Sequence, residues 1–160
     1  MKDSNDKLKR VRTIIAHIER VNRNCFKVGS TIIENAETPE DIVFGRMLIS
    51  NGQIHDNSKL NGIEWENLFS DDPLLMDVIK HHSSTNPHHP EYWGKIQNMP
   101  EVYIAEMVCD CTARSTEFGT DVRHWFSNVA TVKYNFDMDD RIGHAIDKYL
   151  NLLLEKPFKR

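Results

Sequence analysis

The sequence predicts an all-α protein folded as one domain. Three observations carry that reading. Apolar residues recur three and four positions apart along most of the chain, prolines fall where those stripes begin or end, and no segment sustains the every-second-residue alternation of a half-buried strand. At 160 residues the chain lies within the ~100–200 residues usual for a single domain.

The first predicted helix starts behind the polar run Asp3-Ser4-Asn5-Asp6, which supplies caps and N-terminal negative charge. Its stripe is Leu8, Val11, Ile14, Ile15, Ile18, Val21 and Cys25, continuing through Val28, Ile32 and Ile33. Thr38-Pro39 stops it, because proline disfavours helical backbone in the residue before it, and Gly29 is a point where it could bend or split. Pro39 at a first helical position, followed by Glu40 and Asp41, opens a second helix through Ile42, Val43, Met47, Leu48 and Ile49, ended by Asn51-Gly52. Gln53 to Lys59 then form a helix-end junction, and a short helix follows over Ile63 to Phe69. Ser70-Asp71-Asp72-Pro73 starts the next, with Leu74, Leu75, Val78, Ile79 and His82 as its stripe. Ser83 to Pro90, with two prolines, reads as irregular. Pro100-Glu101 opens a helix through Ile104, Ala105, Met107, Val108 and Cys111 that Gly119 closes. Two further helices cover Val122 to Val132 and Asp139 or Asp140 to Leu154, the last striped by Ile142, Ile146, Tyr149, Leu150 and Leu153.

Composition narrows the function classes. Hydrophobic residues make up 39% and charged residues 28%, which describes an ordinary globular chain. A net charge of −4 gives no clear surface for nucleic-acid phosphates and makes a small molecule the expected partner. The apolar runs, such as Tyr149 to Leu154, fall short of the ~20 residues of a membrane helix, and MKDSNDKLKR lacks the apolar stretch of a secretory signal, so a cytoplasmic protein is expected. Cys25, Cys109 and Cys111 are odd in number and form no C-x-x-C pair, so they read as small buried apolar residues in a reducing compartment.

The chemistry lies in the histidines. Six of the eight are His17, His55, His81, His82, His88 and His89, and the last four lie within HHSSTNPHH. Neutral imidazole is the commonest metal ligand, and carboxylates add the negative charge that holds a divalent ion. Such a tract taken alone also reads as a solvated polar loop. What favours metal is the order along the chain: a helical histidine, then His55-Asp56 with Lys59 a turn later, then the paired histidines, then Asp110 within an apolar helix. Periodicity turns His17 inward with Ile14 and Val21, and His82 inward with Leu75, Val78 and Ile79, whereas His81 falls near the edge of its stripe. Asp110 borders an apolar face, where an unpaired carboxylate is costly and either a metal or Arg114 is a remedy.

This pattern resembles the HD superfamily of metal-dependent phosphohydrolases, compact helical bundles with an early histidine, a His-Asp pair commonly followed by lysine, further histidines and a late aspartate. The matching segments are His17, H-D-N-S-K over 55–59, H-H at 81–82, H-H-P-E-Y-W over 88–93 and E-M-V-C-D over 106–110. More narrowly, H-D-x-S-K, N-x-H-H-P-E-Y-W and E-M-x-x-D are similar to an uncharacterised HD-like family of phages and bacteria, which would put a phage-encoded copy in the host cytoplasm. The resemblance covers about residues 14 to 115. It implies that His17, His55, Asp56 and Asp110 surround one ion, with Asp56 bridging to a second held by His82 and by His88 or His89. Doubled histidine pairs leave the second ligand set and the number of ions open.

The resemblance implies one or two divalent ions (Mn, Fe, Co, Ni, Zn or Mg) and hydrolysis of a phosphate ester, with a nucleotide as the expected substrate. Lys59 would stabilise phosphoryl charge, and Glu91 or Glu64 would carry a proton. Asn86 would order the histidine loop or bind substrate, while Trp65, Tyr92 and Trp93 read as core residues. No G-x-x-x-x-G-K-[ST] loop is present. Two rival readings are an HD-fold di-iron oxygenase and a non-catalytic, metal-stabilised module that binds a nucleotide or a protein. A homo-oligomer is compatible with each.

Overall fold

The structure is a computed structural model that describes residues 4–67 and 74–154. Among those residues every regular element is helical and none is a strand, so the protein is all-α as its periodicity predicts. No described helix is long and apolar enough to cross a membrane.

Helix α1 (Ser4–Glu34) runs unbroken through Gly29. A short turn leads to α2 (Pro39–Ile54), whose start is fixed by a capping box in which the Thr38 side chain accepts from Asp41 N and the Asp41 carboxylate accepts from Thr38 N. The two helices lie antiparallel, since Gly29 meets Gly45 while Cys25 meets Gly52. Glycine is what permits this spacing. A Cβ on Gly29 would stand 2.7 Å from Gly45 O, one on Gly45 2.6 Å from Gly29 O, and one on Gly52 2.5 Å from the Cys25 Cβ.

That packing corrects two expectations. Gly29 neither bends nor splits its helix, and Asn51-Gly52 does not end α2, which continues to Ile54. It also shifts the buried face of α2: Gly45, Leu48, Gly52 and His55 point inward, while Ile42, Val43 and Met47 are about half exposed. Glycine carries no hydropathy signal, so of the expected stripe only Leu48 is fully buried.

Beyond α2 come a 3-10 turn (Asn57–Leu60), α3 (Gly62–Asn67) and α4 (Leu74–Thr85). The expected helix start at Ser70 to Pro73 and the expected extension of α3 to Phe69 lie outside the described residues. Helix α4 persists to Thr85, past the expected irregular start at Ser83, and 3-10 turns at Pro90–Trp93 and Ile96–Asn98 lead into α5. Helix α5 (Glu101–Phe118) begins after Pro100 and ends at Gly119, whose φ of +65° is the left-handed cap that glycine adopts freely. It is buried on most sides against α1 and α2. Helices α6 (Val122–Trp125) and α7 (Thr131–Tyr134) are joined by a π-turn over Phe126–Ala130. Helix α8 (Arg141–Leu154) buries Ile142, Ile146, Tyr149 and Leu150 against α5. Asp140 caps α8 by accepting from Ile142 N and Gly143 N. Cys25 and Cys109 are fully buried in the core with Val21, Val28, Leu48 and Ile104.

Candidate metal centre

Three helices carry ligand-type residues on their inward faces to one place. Helix α1 brings His17 one turn before Val21, α2 delivers His55 just past its last turn, and α5 contributes Asp110. Asp56 follows His55 with φ +57°, a left-handed conformation that aspartate tolerates better than most residues. This reversal lets neighbouring His55 and Asp56 both be buried at one spot. The α4 face adds His82, and a pinned loop adds His88 and His89. Asn86 pins that loop, donating from Nδ2 to His82 O (2.8 Å) and accepting at its own carbonyl from His89 N (3.1 Å). Trp93 Nε1 donates to Pro87 O at 2.8 Å.

The donor atoms form two halves around Asp56. In the first, His17 Nε2 lies 3.0 Å from Asp110 Oδ1 and 3.7 Å from Asp56 Oδ2, and His55 Nε2 lies 3.6 Å from Asp56 Oδ2 and 3.9 Å from Asp110 Oδ1. In the second, Asp56 Oδ1 lies 3.0 Å from His82 Nε2 and 3.4 Å from His88 Nε2. His82, His88 and His89 each offer an atom within 4.8 Å of the others, as do His17, His55 and Asp56, and as do His55, His88 and Asp110, so that His88 borders both halves. Two donors ~2.1 Å from one ion stand roughly 3.0 Å apart at right angles and about 3.4 Å apart in a tetrahedron, so these separations fit ligands of shared ions.

Unmet hydrogen-bonding capacity supports the same fit. Among the described residues, buried side-chain atoms without a hydrogen-bond partner include His17 Nε2, His55 Nε2, His88 Nε2, His89 Nε2, Asp56 Oδ1 and Asp110 Oδ1. Buried polar atoms are ordinarily paired, and here, apart from Glu64 Oε1 and Thr112 Oγ1, the unpaired ones are the ligand-type atoms of one cluster. The opposite ring nitrogens do have acceptors. His17 Nδ1 lies 2.8 Å from Glu117 Oε1, His55 Nδ1 3.0 Å from Glu106 Oε1, and His82 Nδ1 2.9 Å from Glu64 Oε2. A carboxylate accepting from Nδ1–H fixes the tautomer that leaves the Nε2 lone pair for a metal.

Charge completes the picture. Burial would push the Asp56 carboxyl up, yet the adjoining His82 and His88 rings and the charges of His55 and Lys59 hold it well below the usual carboxylate range. Asp110, also opposed by burial, is held low by His17 and His55, and Glu106 falls to about 2 through His55 and His88. The same anions outweigh burial at His88 and raise it to about 10. His89 drops to about 3 through burial and the repulsion of His88 and His82, which keeps it a neutral imidazole.

The seven expected ligands His17, His55, Asp56, His82, His88, His89 and Asp110 therefore come together, and both His88 and His89 face His82, with ring centroids 5.8 and 4.8 Å away. His81 is 42% exposed in its side chain and stands 3.4 Å from Glu64 Oε1, behind His82 rather than among the ligands. Lys59 reaches Asp56 Oδ2 at 2.5 Å. Glu91 does not join the cluster: it sits on the 3-10 turn after His89, partly exposed, with Lys133 Nζ 3.5 Å away. Arg114 turns to Glu117 (3.2 Å) rather than to Asp110. Trp65 and Tyr92, expected in the core, are 40% and 45% exposed.

Three residues that the sequence reading left without this role are Glu64, Glu106 and Glu117. Glu106 and Glu117 lie four residues before and seven after Asp110, on one face of an apolar helix, and that spacing was the available signal. Glu64 had no such signal, because it reaches His82 from a separate helix.

Fold and site together define an all-α protein with buried histidine–aspartate groups that can hold a metal ion. The chain belongs to DUF5662, a family of unknown function whose profile matches residues 6–152. No curated protein and no solved structure matches it significantly.

Proposed function

We propose that this protein is a metal-dependent phosphohydrolase with a two-ion centre, acting on a nucleotide or related phosphate ester. The observation that carries the reading is the division of Asp56, whose Oδ2 faces His17 and His55 while its Oδ1 faces His82 and His88. The resemblance to HD phosphohydrolases supplies the reaction class. His17, His55, Asp56 and Asp110 would hold one ion, and Asp56, His82, His88 and His89 the other. Divalent ions so held supply Lewis acidity toward phosphoryl oxygens and make water a stronger nucleophile near neutral pH.

The chain's own groups do the rest. Glu117, Glu106 and Glu64 keep imidazoles aimed before substrate arrives, so little reorganisation is needed during reaction. Lys59, 20% exposed beside Asp56, is the ammonium nearest the centre and takes charge from a phosphoryl oxygen. A cleft of about 120 Å³ lined by Asn51, His55, Asp56, Asn86, His88 and Glu106 reaches the cluster. Whole drug-sized ligands occupy pockets of ~300–1,000 Å³, so this cleft suits a phosphoryl group, with the remainder of the substrate lying outside it.

Elemental analysis of untagged protein, followed by phosphate release from a nucleotide panel with added manganese or cobalt, tests the reading. About two equivalents of metal with phosphate release is the expected result. Stoichiometric iron with no release would favour the di-iron oxygenase, whose donor set is similar, and metal with nucleotide binding but no turnover would favour the binding module.

A further inference from the structure

Each half of the centre has an orienting carboxylate of its own. Glu117 serves His17 in the first half, and Glu64 serves His82 in the second. Glu106 differs. Its Oε1 lies 3.0 Å from Nδ1 of His55, a first-half residue, and 3.4 Å from Nδ1 of His88, a second-half residue. The two rings are themselves in contact, with centroids 4.2 Å apart. Asn51 Nδ2 donates to Glu106 Oε2 at 3.0 Å, so the carboxylate is held at both oxygens. Glu106 is 4% exposed, which leaves it little room to serve one imidazole and release the other.

We propose that Glu106 is a positioning residue that ties the two halves together, so that they load as a unit. The proposal rests on the two-ion reading. The physical route is short. An ion drawing on His55 Nε2 fixes that ring and its Nδ1–H bond to Glu106. The fixed carboxylate then presents a preset acceptor to His88, and the second ion meets a ligand whose ordering cost is already met. By linkage the effect is reciprocal: whichever half fills first favours the other. Glu117 and Glu64 each touch ligands of one half only, so neither transmits the same bias.

The experiment is a manganese titration of the full chain by calorimetry and electron paramagnetic resonance, comparing wild type with Glu106→Gln, Glu117→Gln and Glu64→Gln. Ion-free variants are first compared with wild type by circular dichroism. Wild type is expected to take two ions in one steep step, with the exchange-coupled signal of a manganese pair present from low occupancy. Glu106→Gln weakens both ions by ~10–100-fold, the usual effect of losing an outer-shell partner, and isolated-ion signals replace the pair signal below full loading. Glu117→Gln and Glu64→Gln each weaken one ion and spare the other. Should Glu106→Gln fail to fold, Asn51→Leu, which frees only Glu106 Oε2, should weaken both ions in the same sense by less. Two ions in wild type with only one weakened by Glu106→Gln, or with pairing preserved in that variant, would overturn the proposal while leaving the two-ion reading intact. Fewer than two ions in wild type would overturn both.

Discussion

Asp56 is where a single side chain bears on both halves at once, and Asp56→Asn is the cleanest perturbation of it. Asparagine, like aspartate, enters the left-handed region at φ +57° without the ~1–2 kcal/mol that an ordinary L-residue pays there. Asp56→Asn therefore removes charge and keeps the backbone, whereas Asp56→Ala confounds the two. An ion at a hundred times its Kd stabilises the folded state by ~2.7 kcal/mol, so two ions contribute roughly 5 kcal/mol. For a chain of this size each kcal/mol moves Tm by ~2–4 °C, and saturating manganese should raise the wild-type Tm by roughly 10–20 °C. In Asp56→Asn one half loses its oxygen to an amide nitrogen and the other keeps only a neutral amide oxygen, since Oδ1 and Oδ2 face different histidines, and that rise should shrink to a few degrees or vanish. Scanning calorimetry with and without manganese measures it, and elemental analysis gives the stoichiometry. An Asp56→Asn protein that keeps two equivalents of metal and the full thermal shift would refute the assignment of Asp56 as the shared ligand.

Three further outcomes follow from the same geometry. Gly52→Ala places a Cβ 2.5 Å from the Cys25 Cβ and should cost ~1–3 kcal/mol by overpacking; because the α1–α2 spacing sets His17 against His55, metal affinity should fall with the denaturation midpoint. Lys59→Ala should leave metal stoichiometry unchanged and lower phosphate release on the order of 100-fold, and steady-state kinetics on metal-loaded protein would separate the two. Glu101 illustrates pH dependence away from the centre: burial pushes its carboxyl up, but hydrogen bonds from Tyr149 (2.6 Å) and Lys148 (3.2 Å) bring it below its ordinary 4.5. A depressed carboxyl stabilises the fold above its unfolded pKa and loses that contribution as pH falls through the folded value. Glu101→Gln should therefore lower stability at pH 7 by a small amount, since the group is partly exposed, and the difference from wild type should close below about pH 4 in denaturation series.

How far the sequence spoke for itself depended on what signals an element uses. Helix α5 was legible at both ends, because Pro100 and Gly119 act locally through backbone conformation. The inward face of α2 was legible only at Leu48, because the rest is made by Gly45 and Gly52, whose contribution is the absence of a side chain against Gly29 and Cys25. His17 was readable as inward from its stripe and is buried, whereas His82 is buried although Leu75 and Ile79 of its expected stripe are about half exposed. Glu91 was expected at the centre from its place in H-H-P-E-Y-W, but one residue of 3-10 turn beyond Pro90 carries it to Lys133. Glu64 was weighed as a proton carrier, and its contact with His82 depends on the tertiary docking of α3 against α4, which no local pattern encodes.

The electrostatics of the cluster suit a bound cation better than a purely stabilising role. The carboxylates of Asp56, Glu64, Glu106, Asp110 and Glu117 converge on neutral-capable imidazoles, while the fixed cations in contact with them include, among the described residues, Lys59, Arg20 and Arg114. With imidazoles neutral, negative charge is in excess. In the absence of other cations a proton redresses part of it, which is why His88 is raised to about 10 by Asp56 and Glu106 despite its burial. Buried ion networks of this kind rarely stabilise a fold better than apolar side chains of the same volume would. The surrounding core supplies such side chains freely: Val21, Cys25 and Leu48 fill the neighbouring turns of the same stripes. Unpaired ring nitrogens and converging carboxylates are costs that a merely structural cluster would have no reason to bear, and a divalent cation is a partner that would offset both.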